Sequence, residues 1–256
     1  MFYHFLSYLK FLLKSTNQYD VHSPFVFDFI TKCLYKKDKS CIHINDFRKS
    51  LLANKSIIEV TDFGAGSRVF KSNKRSISDI AKNAGISSKR GELLYKLTQY
   101  FEPQHILEIG TSLGLATANL SYANSNAKIT TLEGCKATAK IAQMQFDKFD
   151  INNVKIVLGD FKSTLTDVIE DQKYDLIYFD GNHQKEATIN YFNQCLSSIN
   201  NETVFIFDDI HWSKDMEQAW NYIIDHKKVT ISIDTYQWGI VFFRKEQHKE
   251  HFVIRV

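Results

Sequence analysis

Proline is nearly missing from the sequence: Pro24 and Pro103 are the only two in 256 residues. No proline-rich tract therefore serves as a stiff linker, and no low-complexity tract or internal repeat marks a disordered or solenoid segment. Cysteine is scarce, with Cys33, Cys41, Cys135 and Cys195 alone. They form neither a C-x-x-C nor a paired spacing. That excludes a disulfide framework and a cysteine zinc site, and fits reduced thiols in a cytoplasmic setting. Excess charge is lacking too: a net +3 is too small to mark a nucleic-acid partner, and none is expected. No apolar run reaches the length of a membrane span.

What is present suits a folded chain. The composition is 44% hydrophobic and 24% charged, with 20 Phe and 12 Tyr. That is enough for one large domain, or one domain with an extension. The opening stretch "MFYHFLSYLKFLLK" has no basic segment before its apolar run and no small-residue cleavage site after it, so a targeting leader is not expected there. Phe2, Phe5, Leu6, Leu9, Leu12 and Leu13 fall on one helical face, with Ser7, Lys10 and Lys14 elsewhere. That face is expected to pack on the rest of the chain or on the mate in a homodimer. The alternative is contact of residues 2–13 with a membrane surface.

The pattern changes near residue 76. Residues 1–75 read as a helical extension serving as a lid, a substrate element or a dimer element. Ser23 is placed as an N-cap, with Pro24 at the first helical position. Over 76–256 short apolar runs alternate with helical stretches. The runs are "HILEIG", "KITTLEG", "VKIVLGD", "YDLIYFDG" and "TVFIFDD". This alternation predicts an α/β fold: a Rossmann-like, seven-stranded, mostly parallel sheet with helices on both faces. "VTISIDTYQWGIVFFRK" predicts a C-terminal antiparallel hairpin. Each of the five runs ends in glycine or an acidic residue. In open α/β sheets ligands bind beyond the carboxyl ends of the strands.

Two glycine turns compete for a cofactor, "VTDFGAGSRV" (60–69) and "ILEIGTSLGLAT" (106–117). Context separates them. After the second come a helix and a strand ending in Glu133, about twenty residues on, where a dinucleotide-type fold places the carboxylate that takes ribose hydroxyls. After the first comes a basic stretch in which no second strand is read. The turn at Gly110 is therefore assigned to the sheet. The turn at Gly64 and Gly66 is assigned to the extension, where Arg68 beside it is a candidate contact to an anionic acceptor group.

"ILEIGTSLG", "TLEG", "VLGD", "YDLIYFDGNH" and "VFIFDDIHW", in that order and spacing, resemble the motif series of class I S-adenosylmethionine-dependent methyltransferases. The small-molecule O-methyltransferase branch, of catechol and caffeoyl-CoA type, is the most similar. The resemblance covers about residues 76–245. It implies S-adenosyl-L-methionine as cofactor and a small-molecule acceptor. It also implies a cofactor site from Glu108, Gly110, Thr111, Ser112, Gly114, Glu133, Gly159, Asp160, Phe161 and Asp180. Asp160 and Phe161 would flank the adenine. Glu108 has a second reading as a partner inside the sheet, and Gly91 one as a plain helix start.

Methyl transfer from a sulfonium is an in-line displacement, and a hydroxyl acceptor must be made nucleophilic. A divalent cation such as Mg²⁺ does this when held by carboxylates. The resemblance offers Asp180, Asp208 and Asp209 for that role, although the metal-dependent relatives carry Asn at the last position. The metal-free alternative uses a side-chain base, with Asp180, His183 and His211 as catalytic candidates. Trp212 is a candidate acceptor wall, and Trp238 reads as either wall or packing. Two prolines leave no N/D-P-P-aromatic loop and no Pro-Cys motif, which argues against base methylation. N-methylation, ribose or protein acceptors, and a non-catalytic binding module remain the rival readings.

Overall fold

The computed structural model describes residues 2–37, 42–61 and 72–256. The turn at 62–67 and Arg68 lie outside the described residues. By contact the chain forms two compact units, Met1–Tyr35 with Leu165–Val256, and Lys36–Thr164. The packing therefore divides residues 1–75 between the units, rather than keeping them together as one extension.

The first unit begins with helix α1 (Phe2–Lys14) and helix α2 (Pro24–Phe29), which runs on into a wider π-helical turn over Ile30–Leu34. Ser23 caps α2 by accepting from the Val26 amide, with Pro24 entering the first turn. Both follow from the sequence pattern, because proline has no amide hydrogen to lose at that place.

The second unit contains α3 (Ile42–Ala53), β1 (Ile57–Glu59), β2 (Lys74–Ser76), α4 (Ile77–Asn83), α5 (Ser88–Phe101), β3 (His105–Ile109), α6 (Leu115–Ala123), β4 (Lys128–Glu133), α7 (Lys136–Lys148) and β5 (Val154–Leu158). Strands β3, β4 and β5 form a parallel ladder, with Glu108 opposite Thr131 and Glu133 opposite Leu158. One expectation is corrected here. The basic stretch after the first glycine turn does contain a strand, since β2 pairs antiparallel with β1. These two strands form their own ribbon, apart from the larger sheet.

Helix α8 (Phe161–Asp171) leads into the rest of the first unit: β6 (Leu176–Phe179), α9 (Lys185–Cys195), β7 (Val204–Asp208), α10 (Lys214–Asp225), β8 (Ile231–Asp234), β9 (Trp238–Phe242) and β10 (Glu250–Val253). Strand β6 is parallel to β7, β9 is antiparallel to both β7 and β8, and β10 lies parallel to β8. The sequences "LIYF" and "VFIFD" are buried along their whole length. Strands covered on both faces are continuous apolar runs rather than alternating ones. Phe179 stacks on Phe207 with ring centroids 4.2 Å apart.

The mostly parallel α/β sheet with a C-terminal antiparallel hairpin is thus present, with the β8–β9 hairpin where it is expected. One strand more than the seven expected is found, the edge strand β10. Thr16 bridges to it, donating its amide to the Val253 carbonyl at 2.8 Å. Among the described residues no helix is long and apolar enough to cross a membrane.

Candidate active site

In the second unit the strand ends carry the glycine turn and two acidic side chains. After β3 the chain turns through Gly110 (φ 109°) and Ser112 (φ 50°) to Gly114 (φ 78°), which caps α6. A side chain at Gly114 would be strained by that φ, and its Cβ would stand 2.6 Å from the Phe146 ring. Glycine offers no side chain to cap α6, so the first amides of the helix receive no side-chain acceptor. Gly91 is buried in α5, where a Cβ would come within 3.0 Å of the Asn119 amide. Its smallness serves close packing of α5 on α6.

Glu133 ends β4. One carboxylate oxygen accepts from the Ser112 amide at 2.7 Å and the other from the Cys135 amide at 2.8 Å. Burial pushes its pKa up, while the Cys135 and Ser112 amides, the Thr138 hydroxyl and the Gly134 amide pull it back. The Ser112 and Cys135 bonds place one backbone donor on each carboxylate oxygen, and each oxygen has a second lone pair. Gly159 follows β5, its amide bonded to the Glu133 carbonyl at 3.0 Å. Asp160 is exposed and Phe161 half-buried beside it, at the start of α8.

Glu108 stands differently. It is fully buried and accepts hydrogen bonds from the hydroxyls of Thr117 and Thr131. Thr111 in turn shares a 2.6 Å hydrogen bond with Thr131. With no exposed surface, Glu108 supports the glycine turn from inside the unit rather than meeting a ligand at its mouth. Burial pushes its pKa up to about 7, the two threonine donors opposing the rise.

A carboxyl held protonated by burial stabilises the fold fully below its unfolded pKa. That contribution is lost as pH rises through the folded value. Wild-type stability should therefore fall between about pH 4.5 and 7 by on the order of 3 kcal/mol. Glu108→Gln, permanently neutral, should melt about 5 °C above wild type at pH 8 and alongside it at pH 5. Parallel melting curves for the two proteins across that range would contradict this.

In the first unit the ends of β6 and β7 carry the remaining candidates. Asp180 accepts from the Tyr178 hydroxyl at 3.4 Å and lies 3.6 Å from His183 Nε2. Asn182, His183 and Asp209 all adopt left-handed backbone, with φ of 74°, 47° and 54°. Such conformations cost energy in residues other than glycine and collect in loops that hold functional groups. Asp208 is buried, and one of its oxygens accepts from the Trp238 indole at 2.6 Å. Trp238 is itself buried, which settles it as packing rather than as an acceptor wall. Trp212 is half-buried, its ring 5.8 Å from that of His4.

His211 forms the best-defined pair. Its Nε2 lies 2.8 Å from Asp234 Oδ2, and its ring stacks on Tyr236 at 5.2 Å. The second oxygen of Asp234 accepts from the Tyr236 amide at 2.7 Å. A carboxylate only accepts, so the neutral ring carries its hydrogen on Nε2 and leaves Nδ1 as the bare lone pair. That Nδ1 is buried and has no hydrogen-bond partner. Sequence reasoning passed over Asp234, although it closes the apolar run "TISID" as acidic residues close the other runs.

Asp180, Asp208 and Asp209 do not gather into a cation cage. Among the described residues no three His, Cys, Asp or Glu side chains stand close enough together to hold a metal ion. Among the described residues the donor set therefore does not fit the Mg²⁺ role offered to it.

Residues 107–210 match the family model of a methyltransferase domain. Several solved structures share the fold. The SAH-bound Podospora anserina methyltransferase PaMTH1 is 13% identical, covering 88% of this chain and 97% of its own, with a TM-score of 0.64. An O-methyltransferase from Bacillus cereus in complex with SAH is 20% identical, covering 85% and 96%, at 0.57. The O-methyltransferase TomG from Streptomyces achromogenes, in complex with SAM, is 16% identical, covering 89% and 96%, at 0.56. No curated protein sequence matches the chain. Residues 107–210 are thus similar to the methyltransferase-domain family, and the chain carries the α/β fold of these methyltransferases.

Proposed function

We propose that the protein transfers a methyl group from S-adenosylmethionine to a hydroxyl oxygen of a small-molecule acceptor, without a metal. The observation that carries this is Glu133. It ends the strand after the Gly110–Gly114 turn, with both oxygens anchored by backbone amides and further acceptor sites to spare. There it takes the ribose diol through charge-assisted bonds. The uncapped amides at the start of α6 take the methionine carboxylate, with Thr111 and Ser112 in the turn that aims them. Gly159 lets the chain turn to Asp160 and Phe161, which flank the adenine.

His211 supplies the base. Its Nδ1 lone pair accepts the proton of the acceptor hydroxyl as the oxygen attacks the methyl carbon and the sulfonium leaves as a neutral thioether. His183 and Trp212 are assigned to the acceptor side. The cysteines Cys33, Cys135 and Cys195, buried and outside any disulfide, suit a cytoplasmic enzyme.

Calorimetry of the purified protein with S-adenosylhomocysteine, in Mg²⁺ and again in EDTA, tests the core of this. Micromolar binding, equal in both, is expected. No binding would sink the methyltransferase assignment. Binding or turnover that needs Mg²⁺ would restore the three aspartates as metal ligands.

A further inference from the structure

Of the placements expected for the apolar face of helix α1, packing on the rest of the chain is not the one found. Its inner side is formed by Ser7 and Phe11, both buried. The same side is tied down by polar and aromatic contacts: the Tyr3 hydroxyl donates to Glu217 at 2.7 Å, the Tyr236 hydroxyl donates to the His4 carbonyl at 3.0 Å, and Phe11 lies 5.4 Å from the Tyr236 ring. The aliphatic side faces out. Phe5 is 62% exposed and Leu13 88%, with Leu6, Tyr8 and Leu9 exposed between them. At about 100° per residue these side chains sweep an arc of roughly 160°. An exposed apolar surface of this size on one short helix marks an interaction site.

Charge identifies the partner. α1 contains no acidic residue. Lys10 and Lys14, both exposed, stand along one border of the apolar arc. On that border lies a cavity of about 480 Å³ lined by Leu6, Lys10, Lys214 and Glu217, among others. Lys10 and Lys214 outnumber the single carboxylate of Glu217 there, so the cavity mouth is positive on balance. An apolar helix face with lysines at its edge is the pattern of a helix lying in a bilayer interface, with aliphatic side chains among the acyl chains and ammonium groups at the phosphates.

We infer that α1 docks the protein on an anionic lipid surface, through Phe5, Leu6, Leu9 and Leu13. Lys10 and Lys214 meet a headgroup phosphate at the neighbouring cavity. This docking is independent of the assignment of the catalytic groups. It is peripheral, since α1 has only 13 residues against the twenty or so that a span requires.

Flotation of the full chain with phosphatidylcholine vesicles, and with vesicles that also contain phosphatidylglycerol, decides it. Binding only to the anionic vesicles is expected, weakening as salt is raised. Leu9→Glu with Leu13→Glu should reduce that binding at least about tenfold. Lys10→Glu with Lys214→Glu should reduce it to the level seen with neutral vesicles. All four positions are exposed, and unchanged circular dichroism and melting would show that the variants fold. Absence of binding to anionic vesicles overturns the inference, as does binding that the leucine variant leaves intact. If the chain instead forms a dimer that Leu13→Glu dissociates, and ignores both kinds of vesicle, the face belongs to a second copy and the lipid assignment falls.

Discussion

Glu133→Ala is expected to lower the affinity for S-adenosylhomocysteine at least about a hundredfold, the larger part of it through the ribose. Two charge-assisted hydrogen bonds to a diol contribute about 1.5–3 kcal/mol each, and alanine removes both. The same substitution frees the Ser112 and Cys135 amides, which now donate to the carboxylate. The glycine turn would lose its cross-strand tie as well. Glu133→Gln grades the two effects. The amide side chain keeps one acceptor oxygen for a backbone amide but sets a donor against the other. Its affinity and its melting temperature should both fall between those of alanine and wild type. Calorimetry and thermal melting of the three proteins read this directly. An alanine variant that folds and binds within about threefold of wild type would remove Glu133 from the cofactor site.

Glu133 was legible in the sequence because its position follows from chain geometry. A strand, a glycine turn, one helix and a second strand consume a nearly fixed number of residues, so a carboxylate some twenty residues after the turn has few other places to be. The strands β3 to β7 were legible for a related reason: apolar runs of that length, punctuated by glycine or acid, suit strands covered on both faces. Strand β10 was not, because "EHFV" is an edge strand with half-exposed and exposed side chains, and hydropathy marks burial rather than backbone pairing. Strand β2, "KRS", escaped for the same reason.

The helix period of α1 is plain in the sequence; which of its expected placements the apolar face takes is not. Periodicity shows that an apolar side exists; it does not show what covers it. Here the aromatic and hydroxyl side chains of Tyr3, His4, Ser7 and Phe11 supply the inward contacts, and no hydropathy scale ranks that side above one of leucines. Glu108 shows a comparable limit. Its place at a strand end is plain from the sequence, but Thr117 and Thr131, which turn it inward, are defined only once β4 and α6 are packed. Asp234 needed the β8–β9 hairpin to bring it to His211.

Removing the His211 imidazole is expected to lower kcat by about two to four orders of magnitude, as for a general base, and to leave S-adenosylhomocysteine affinity unchanged. That contrast distinguishes it from Glu133, whose loss acts on cofactor binding. His211→Gln retains much of the side chain's bulk and polarity but cannot take up a proton near neutral pH.

Asp234→Asn carries the sharper test. In wild type the carboxylate can only accept, which fixes the ring hydrogen on Nε2 at 2.8 Å and leaves Nδ1 bare. An asparagine turns its amide group toward the ring as a donor just as readily. The hydrogen then moves to Nδ1, and the nitrogen meant to receive the acceptor's proton is already occupied. Turnover should fall nearly as far as in His211→Gln, although the fold, the ring stacking on Tyr236 and the cofactor affinity all persist. Nitrogen chemical shifts of His211 would report the change of tautomer without any acceptor present. If Asp234→Asn keeps both its tautomer and its kcat, the pair is a structural hydrogen bond, and the proton of the acceptor goes elsewhere.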